Sequence, residues 1–176
     1  MINEVIKKNG ITYGVIIGIA SALVTATIYA VDLKLFTSWW VGILGIIVSL
    51  TLSIMLLAKT KKEINGVFSF KDAFTTYFIA AVIGILISTA FNILLFNVID
   101  PEAKETLNEL VMKYTVEMLQ KFGTPASAIN ETIENMKTNN PYSTLELLKG
   151  SAFSIVISSI FGLIFAAFFK SKTSQE

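Results

Sequence analysis

Four long stretches of this chain carry no charged side chain: residues 11–31, 35–58, 73–99 and 150–169. Each has Lys, Asp or Glu close to both ends. A helix rises about 1.5 Å per residue, so about 20 apolar residues span a hydrocarbon core of about 30 Å. All four stretches meet that length, and the pattern predicts four membrane-crossing helices. The alternative is a soluble bundle. It would have to bury four helices that are apolar on every face, and a chain of 176 residues has too little remaining protein to cover them.

Composition narrows the function classes. The chain is 53% hydrophobic and 15% charged, with a net charge of +1, which argues against a nucleic-acid binder and its basic stripe. It has no Cys, hence no disulfide framework or thiolate metal site. Without His it also lacks the commonest metal ligand and the usual general base. All 14 basic residues are Lys, so no bidentate arginine clamp can form. Residues 1–8 resemble the charged start of a signal peptide. The apolar run behind them is too long, and its Ala20-Ser21-Ala22 falls in the middle, so a retained first span is expected.

Charges between the spans predict orientation. One side holds the eight lysines Lys7, Lys8, Lys59, Lys61, Lys62, Lys71, Lys170 and Lys172 against the four acids Glu4, Glu63, Asp72 and Glu176. The other side holds six lysines and nine acids. Lysines in short loops beside span ends stay in the cytoplasm, which predicts that both termini are cytoplasmic and residues 100–149 are outside. Trp39 and Trp40 then open the second span at the outer interface, where indoles concentrate. Asp32-Leu33-Lys34 reads as a tight turn that makes spans one and two a hairpin.

Small residues recur along every span. Span one carries Gly10, Gly14, Gly18, Ala22, Ala26 and Ala30, and span two carries Gly42, Gly45, Ser49 and Ser53. Span three has Ala80, Gly84, Ser88 and Asn92, and span four has Gly150, Ser154, Ser158, Gly162 and Ala166. Such rows let helix backbones approach closely. With one row on each span, packing within the chain is expected before homodimerisation through Gly10, Gly14 and Gly18, and a compact four-helix membrane bundle follows.

The segment outside the spans has its own helical signals. Asp100-Pro101-Glu102 places an N-cap, a proline at the first helical position and an acid in the first turn. Leu107, Leu110, Val111, Tyr114, Met118 and Phe122 recur at helical spacing. Glu109–Lys113 and Glu117–Lys121 stand four apart, and Gly123 closes the helix. Thr124-Pro125 starts a second helix with Ile129, Ile133 and Met136 on one face, ended by Asn139-Asn140-Pro141. Ser143-Thr144-Leu145-Glu146 reads as a capping box that starts the last span. The two amphipathic helices are expected to cap the bundle's outer mouth or to lie on the lipid surface.

No chemistry stands out. The spans hold no Asp, Glu, Lys, Arg or His, the usual marks of ion paths and proton relays. Asn92 is their strongest polar side chain, with Thr25, Ser88, Thr89, Ser154 and Ser158 beside it. An interhelical hydrogen bond within the packing row is the expectation for Asn92, and the lining of a polar cavity is the alternative. The acids Asp100, Glu102, Glu105 and Glu109 read as a solvated helix face. No P-loop, dinucleotide fingerprint or zinc motif occurs. The loop with Phe68, Ser69, Phe70, Lys71, Asp72 and Phe74 follows an Asn65-Gly66 turn. Ser69 can cap the third span with Asp72 three residues on, and the Phe residues suit interfacial anchors. A partner-docking loop is the sharper alternative for the same residues.

Four spans in this order, a Lys-rich loop ending Phe68-Ser69-Phe70-Lys71-Asp72-Ala73-Phe74, an acidic outer helix and Asn140-Pro141 before the last span resemble domain-of-unknown-function family 4199 (DUF4199), a set of bacterial membrane proteins found mainly in Bacteroidota. The similarity covers nearly the whole chain. It implies a bacterial inner-membrane location and no activity, so no functional residue is carried over. The expectation is therefore an all-α, polytopic four-helix membrane bundle, one membrane domain over residues 1–176. Residues 100–149 form a periplasmic helical insertion with no independent core. The packing residues are Gly10, Gly14, Gly18, Gly84, Ser88, Asn92, Ser154, Ser158 and Gly162. The chain is expected to be non-enzymatic and free of cofactor and metal. It is expected to work through the lipid bilayer, a membrane-protein partner or a second copy. A small oligomeric transporter or channel subunit is the alternative.

Overall fold

A computed structural model describes residues 2–64 and 66–171. Met1, Lys172, Glu176 and the Asn65 half of the expected Asn65-Gly66 turn lie outside the described residues. Six helices follow one another: α1 (Glu4–Val31), α2 (Trp39–Glu63), α3 (Phe70–Ile93), α4 (Pro101–Lys121), α5 (Ala126–Thr138) and α6 (Thr144–Phe169). There is no strand among the described residues. Four helical stretches are long and apolar enough to cross a membrane: α1, α2, α6 and α3 with its continuation to Ile99. The beginnings of α1 and α3 and the ends of α2 and α6 share one end of the bundle, here the terminal end; the insertion of α4 and α5 marks the other.

The helix boundaries follow from local chemistry. The Asn3 side chain caps α1 by accepting from the Val5 amide at 2.8 Å. Ser69 and Asp72 form a reciprocal capping box on α3, and Asp100 caps α4 through the Ala103 amide at 2.9 Å with Pro101 behind it. Gly123, at φ +72°, takes the left-handed conformation that ends α4. At Ser143 only half of the expected capping box forms. Its hydroxyl accepts from the Glu146 amide, while the Glu146 carboxylate turns to the Lys149 ammonium at 2.6 Å. The expected pairs Glu109–Lys113 and Glu117–Lys121 do not close among the described residues. On exposed helix faces the attraction barely offsets the lost side-chain freedom.

Two boundaries differ from expectation. The turn after α1 is longer than Asp32-Leu33-Lys34, because a 3₁₀ turn over Leu33–Thr37 carries the chain to α2, where Trp39 and Trp40 stand exposed. The third span is not one uniform helix. Leu94–Ile99 widens into a π turn, in which the Asp100 amide reaches back to the Leu95 carbonyl at 2.8 Å. The wide turn delivers fully buried Phe96 into edge-on contact with Tyr29, Phe36 and Tyr142. The first turns of α4 dock here through Ala103 and Leu107. The far half of α4 does not cover the mouth: Tyr114 and Met118 are exposed, and Phe122 is 80% exposed.

The bundle is less symmetrical than expected. α3 is its hub, packed along α1 on one side and along α6 on the other. A Cβ added at Gly10, Gly14 or Gly18 would stand 2.9, 2.8 or 2.6 Å from the Cβ of Ile79, Ile83 or Ile87, so this row is filled by α3. Gly84 answers from α3, facing Ile17, and Gly162 of α6 lies against Tyr77 and Phe74. α2 behaves otherwise. Its buried residues Ser53, Leu56, Leu57 and Thr60 all lie in its terminal half, and nothing stands within 4 Å of a Cβ built on Gly42 or Gly45. The structure is a three-helix body with a fourth helix that leans away from it toward the insertion end.

Candidate functional site

The departure of α2 leaves a crevice of about 460 Å³ among α1, α2, α3 and α6. α2 contributes Ser49 and Ser53, and α1 contributes Ile17 and Ser21. α3 supplies Tyr77, Gly84, Ser88 and Thr89, and α6 supplies Gly150, Ser151, Ser154 and Ser158. Pro141 and Glu146 border it toward the insertion. Helical spacing explains the clustering, because Ser154 and Ser158, like Gly84 and Ser88, stand four apart on one face.

The hydroxyls divide into two groups. Ser53 donates to the Ser49 carbonyl at 2.8 Å, Ser151 to the Leu148 carbonyl at 2.8 Å, and Ser158 to the Tyr77 hydroxyl at 3.2 Å. Ser21, Ser49, Ser88, Thr89 and Ser154 donate to no protein group among the described residues. They are the available donors of the crevice. Glu146, at its border, is matched by Lys149.

The crevice is closed toward the terminal end. Leu57, Phe68, Ala73 and Ala166 form one buried cluster there, and Tyr13, Leu56 and Ala80 form another. Phe68 is 0% exposed, and it is held from both sides of its backbone: its amide donates to the Ser171 hydroxyl at 3.1 Å and its carbonyl accepts from the Ser171 amide at 2.8 Å. Beside these clusters, Asn9 of α1 donates to Glu63 of α2 at 2.8 Å and to Thr60 at 3.2 Å. Lys59 lies 3.9 Å from Glu63 and 5.7 Å from the centre of the Tyr13 ring.

At the insertion end a second clasp joins α1 to the end of α3. Tyr29 donates to Asp100 at 2.7 Å. The Ala103 amide first and the Tyr29 hydroxyl second hold the Asp100 carboxyl below the usual carboxylate range. Asn97 donates to the Tyr142 carbonyl at 2.9 Å, and burial pushes the Tyr142 hydroxyl upward.

The residues singled out from sequence scatter over these places. Gly10, Gly14, Gly18, Gly84 and Gly162 sit where helices meet. Ser88, Ser154 and Ser158, expected as packing residues, also line the crevice, as Gly84 does, and Ser158 joins α6 to α3 through its bond to Tyr77 at 3.2 Å. Asn92 forms no interhelical bond; its amide donates to the Ser88 carbonyl of its own helix at 2.8 Å, which its place one turn further on allows. In the expected docking loop, Phe68 is inside the protein and Ser69 and Asp72 cap α3, while Phe70 and Lys71 are exposed. Phe74 packs on the Phe68 cluster and stacks on Phe78 at 5.6 Å. Sequence reasoning passed over Asn9, Thr60 and Glu63. The signal that could have found them was a polar side chain beside Gly10, one turn inside the first helix and level with the lysines of α2.

The family model described as "Protein of unknown function (DUF4199)" matches residues 12–171. No curated protein and no solved structure matches the chain.

Proposed function

Because the chain belongs to the DUF4199 family, whose description carries no activity, we propose that it is a non-enzymatic, multi-pass inner-membrane protein that receives an uncharged, hydrogen-bonding group in the crevice. The observation that carries this reading is the set of unused donors Ser21, Ser49, Ser88, Thr89 and Ser154 around one space of about 460 Å³. Ser49 and Ser154 are exposed and Ser21, Ser88 and Thr89 are half-buried, so the set presents free hydroxyls to whatever enters the crevice and suits a polar occupant. Both termini are placed in the cytoplasm and α4 with α5 in the periplasm, a reading supported by the lysines beside the terminal ends of the spans. A conduit is the weaker reading, since within one chain the Leu57–Phe68–Ala166 cluster stands in the way of a continuous path.

The chain has no native cysteine, which makes thiol accessibility a clean test. Ser88→Cys and Ser154→Cys should react with a membrane-impermeant thiol reagent added to intact spheroplasts, and Ala166→Cys should stay protected. Protection of residues 88 and 154 equal to that of 166 would refute the crevice as a site. Reaction at 166 from the same side would instead establish a continuous path and favour the conduit. Reaction only in inverted vesicles would reverse the proposed orientation.

A further inference from the structure

We infer that the crevice is one half of a two-chamber site whose occupant is an uncharged amphiphile, with a hydroxyl-bearing head among the serines and a hydrocarbon tail beneath α2. This rests on the reading of the crevice as a binding site and adds the class of ligand. A second space, of about 380 Å³, lies between α1 and α2. Its walls include Val24 and Ile28 of α1, Phe36 of the 3₁₀ turn, and Val41, Leu44 and Leu52 of α2. Ile17, Ser21 and Ser49 belong to the walls of both spaces. The apolar chamber and the hydroxyl crevice therefore meet at two of the unused donors.

The chamber has packed ends: α2 joins the body through its terminal half, and the turn that leads into α2 is held at the insertion end. At the terminal end Asn9 bonds to Glu63 and Thr60. At the insertion end Leu33 and Phe36, just before α2, pack on the Phe96 cluster. Between these anchors nothing approaches a Cβ built on Gly45, a chamber residue. Its walls are apolar and partly open, with Val24 and Leu44 exposed, so a hydrocarbon chain is the matching filler. Charge decides the head. Among the described residues the only carboxylate on either wall is Glu146, already paired with Lys149 at 2.6 Å, and neither wall holds a Lys. An ionised head would lie unpaired among hydroxyls, whereas a glycerol-like head could both accept from and donate to them.

The test uses the full chain in phosphatidylcholine nanodiscs with a monoacylglycerol carrying a photoreactive group in its tail. Crosslinks should concentrate on Val24 and Leu44 above those on outward-facing Phe153, and excess unlabelled monoacylglycerol should reduce them about tenfold. An alkyl sulfonate of the same chain length should not compete. Gly45→Phe, and independently Ala20→Phe, should occupy the chamber and lower the crosslinking to a similar extent, with helicity and elution unchanged. The inference is overturned if the competitor has no effect, if the sulfonate competes equally, or if both chamber variants crosslink like the parent. In each case a cysteine at position 154 that still reacts leaves the crevice reading standing, and one that is protected removes both.

Discussion

Rows of small residues line both α1 and α2, and the two rows meet different fates. Gly10, Gly14 and Gly18 of α1 face Ile79, Ile83 and Ile87 of α3 so closely that no Cβ would fit. Gly42 and Gly45 of α2 face open space. A small residue permits close approach without causing it. Closure on the α1 side comes from a matching ridge of isoleucines at the same four-residue spacing, which gains dispersion contact along its length. α2 finds no such ridge beyond Ser53, and its row becomes a wall of the two chambers.

The contrast can be attacked first at the tight seam. Gly18→Leu places a branched side chain where a Cβ alone would lie 2.6 Å from Ile87. It should destabilise the protein by at least about 3 kcal/mol or prevent folding, read from denaturant titration in detergent. Gly18→Ala should cost about 1–3 kcal/mol by the same measurement, which keeps the effect measurable if the leucine variant does not fold. Should Gly18→Ala prove neutral, the seam is not as close as described.

The anchor of α2 gives a middle-sized effect. Asn9→Ala removes the bonds to Glu63 and Thr60 and should cost about 1 kcal/mol. It should also raise the reactivity of a cysteine at Ser53, because the terminal half of α2 is then free to follow its other half. An unchanged Ser53→Cys labelling rate would show that Leu56 and Leu57 hold α2 without the polar clasp.

Acid should loosen the seam from its insertion end. The Asp100 carboxyl is held below its ordinary value in the folded protein, so its contribution is present above the unfolded pKa of about 4 and is lost as pH falls through the depressed folded value. Below that window the Tyr29–Asp100 clasp and the charged cap of α4 weaken together. Amide exchange in the first turn of α4, followed by mass spectrometry, should accelerate at acid pH in the parent. In Asp100→Asn, a residue that still caps a helix, exchange should show no such step.

The smallest effect belongs to the open row. Gly45→Ala meets no neighbour and exchanges a poor helix former for a good one, so it should be neutral or stabilise by up to about 1 kcal/mol. Destabilisation as large as that of Gly18→Ala would erase the distinction between the two rows.

Much of the fold is legible residue by residue. Asp100 with Pro101, Ser69 with Asp72, and Gly123 declared their helix ends through chemistry confined to one turn. The four crossings were legible for a similar reason, since each depends on the absence of charge along a single stretch. The crevice was not. Ser88, Ser154 and Ser158 read as packing residues, and only the distance of α2 shows that they line a space as well. Phe68 read as a surface anchor, and only its neighbours Leu57, Ala73 and Ala166 show that it belongs to the core. Asn92 was read as a bridge between helices, although its own helix offered the Ser88 carbonyl one turn away.

By itself, then, the sequence determined how often the chain can cross a membrane, where most helices begin and end, and which faces are able to come close. These follow from desolvation and from capping, which act within one segment. Tertiary structure alone decided which of those faces closed. Contact between helices depends on the shape of the opposing ridge, and the isoleucines of α3 lie opposite α1 and not opposite the insertion-end half of α2.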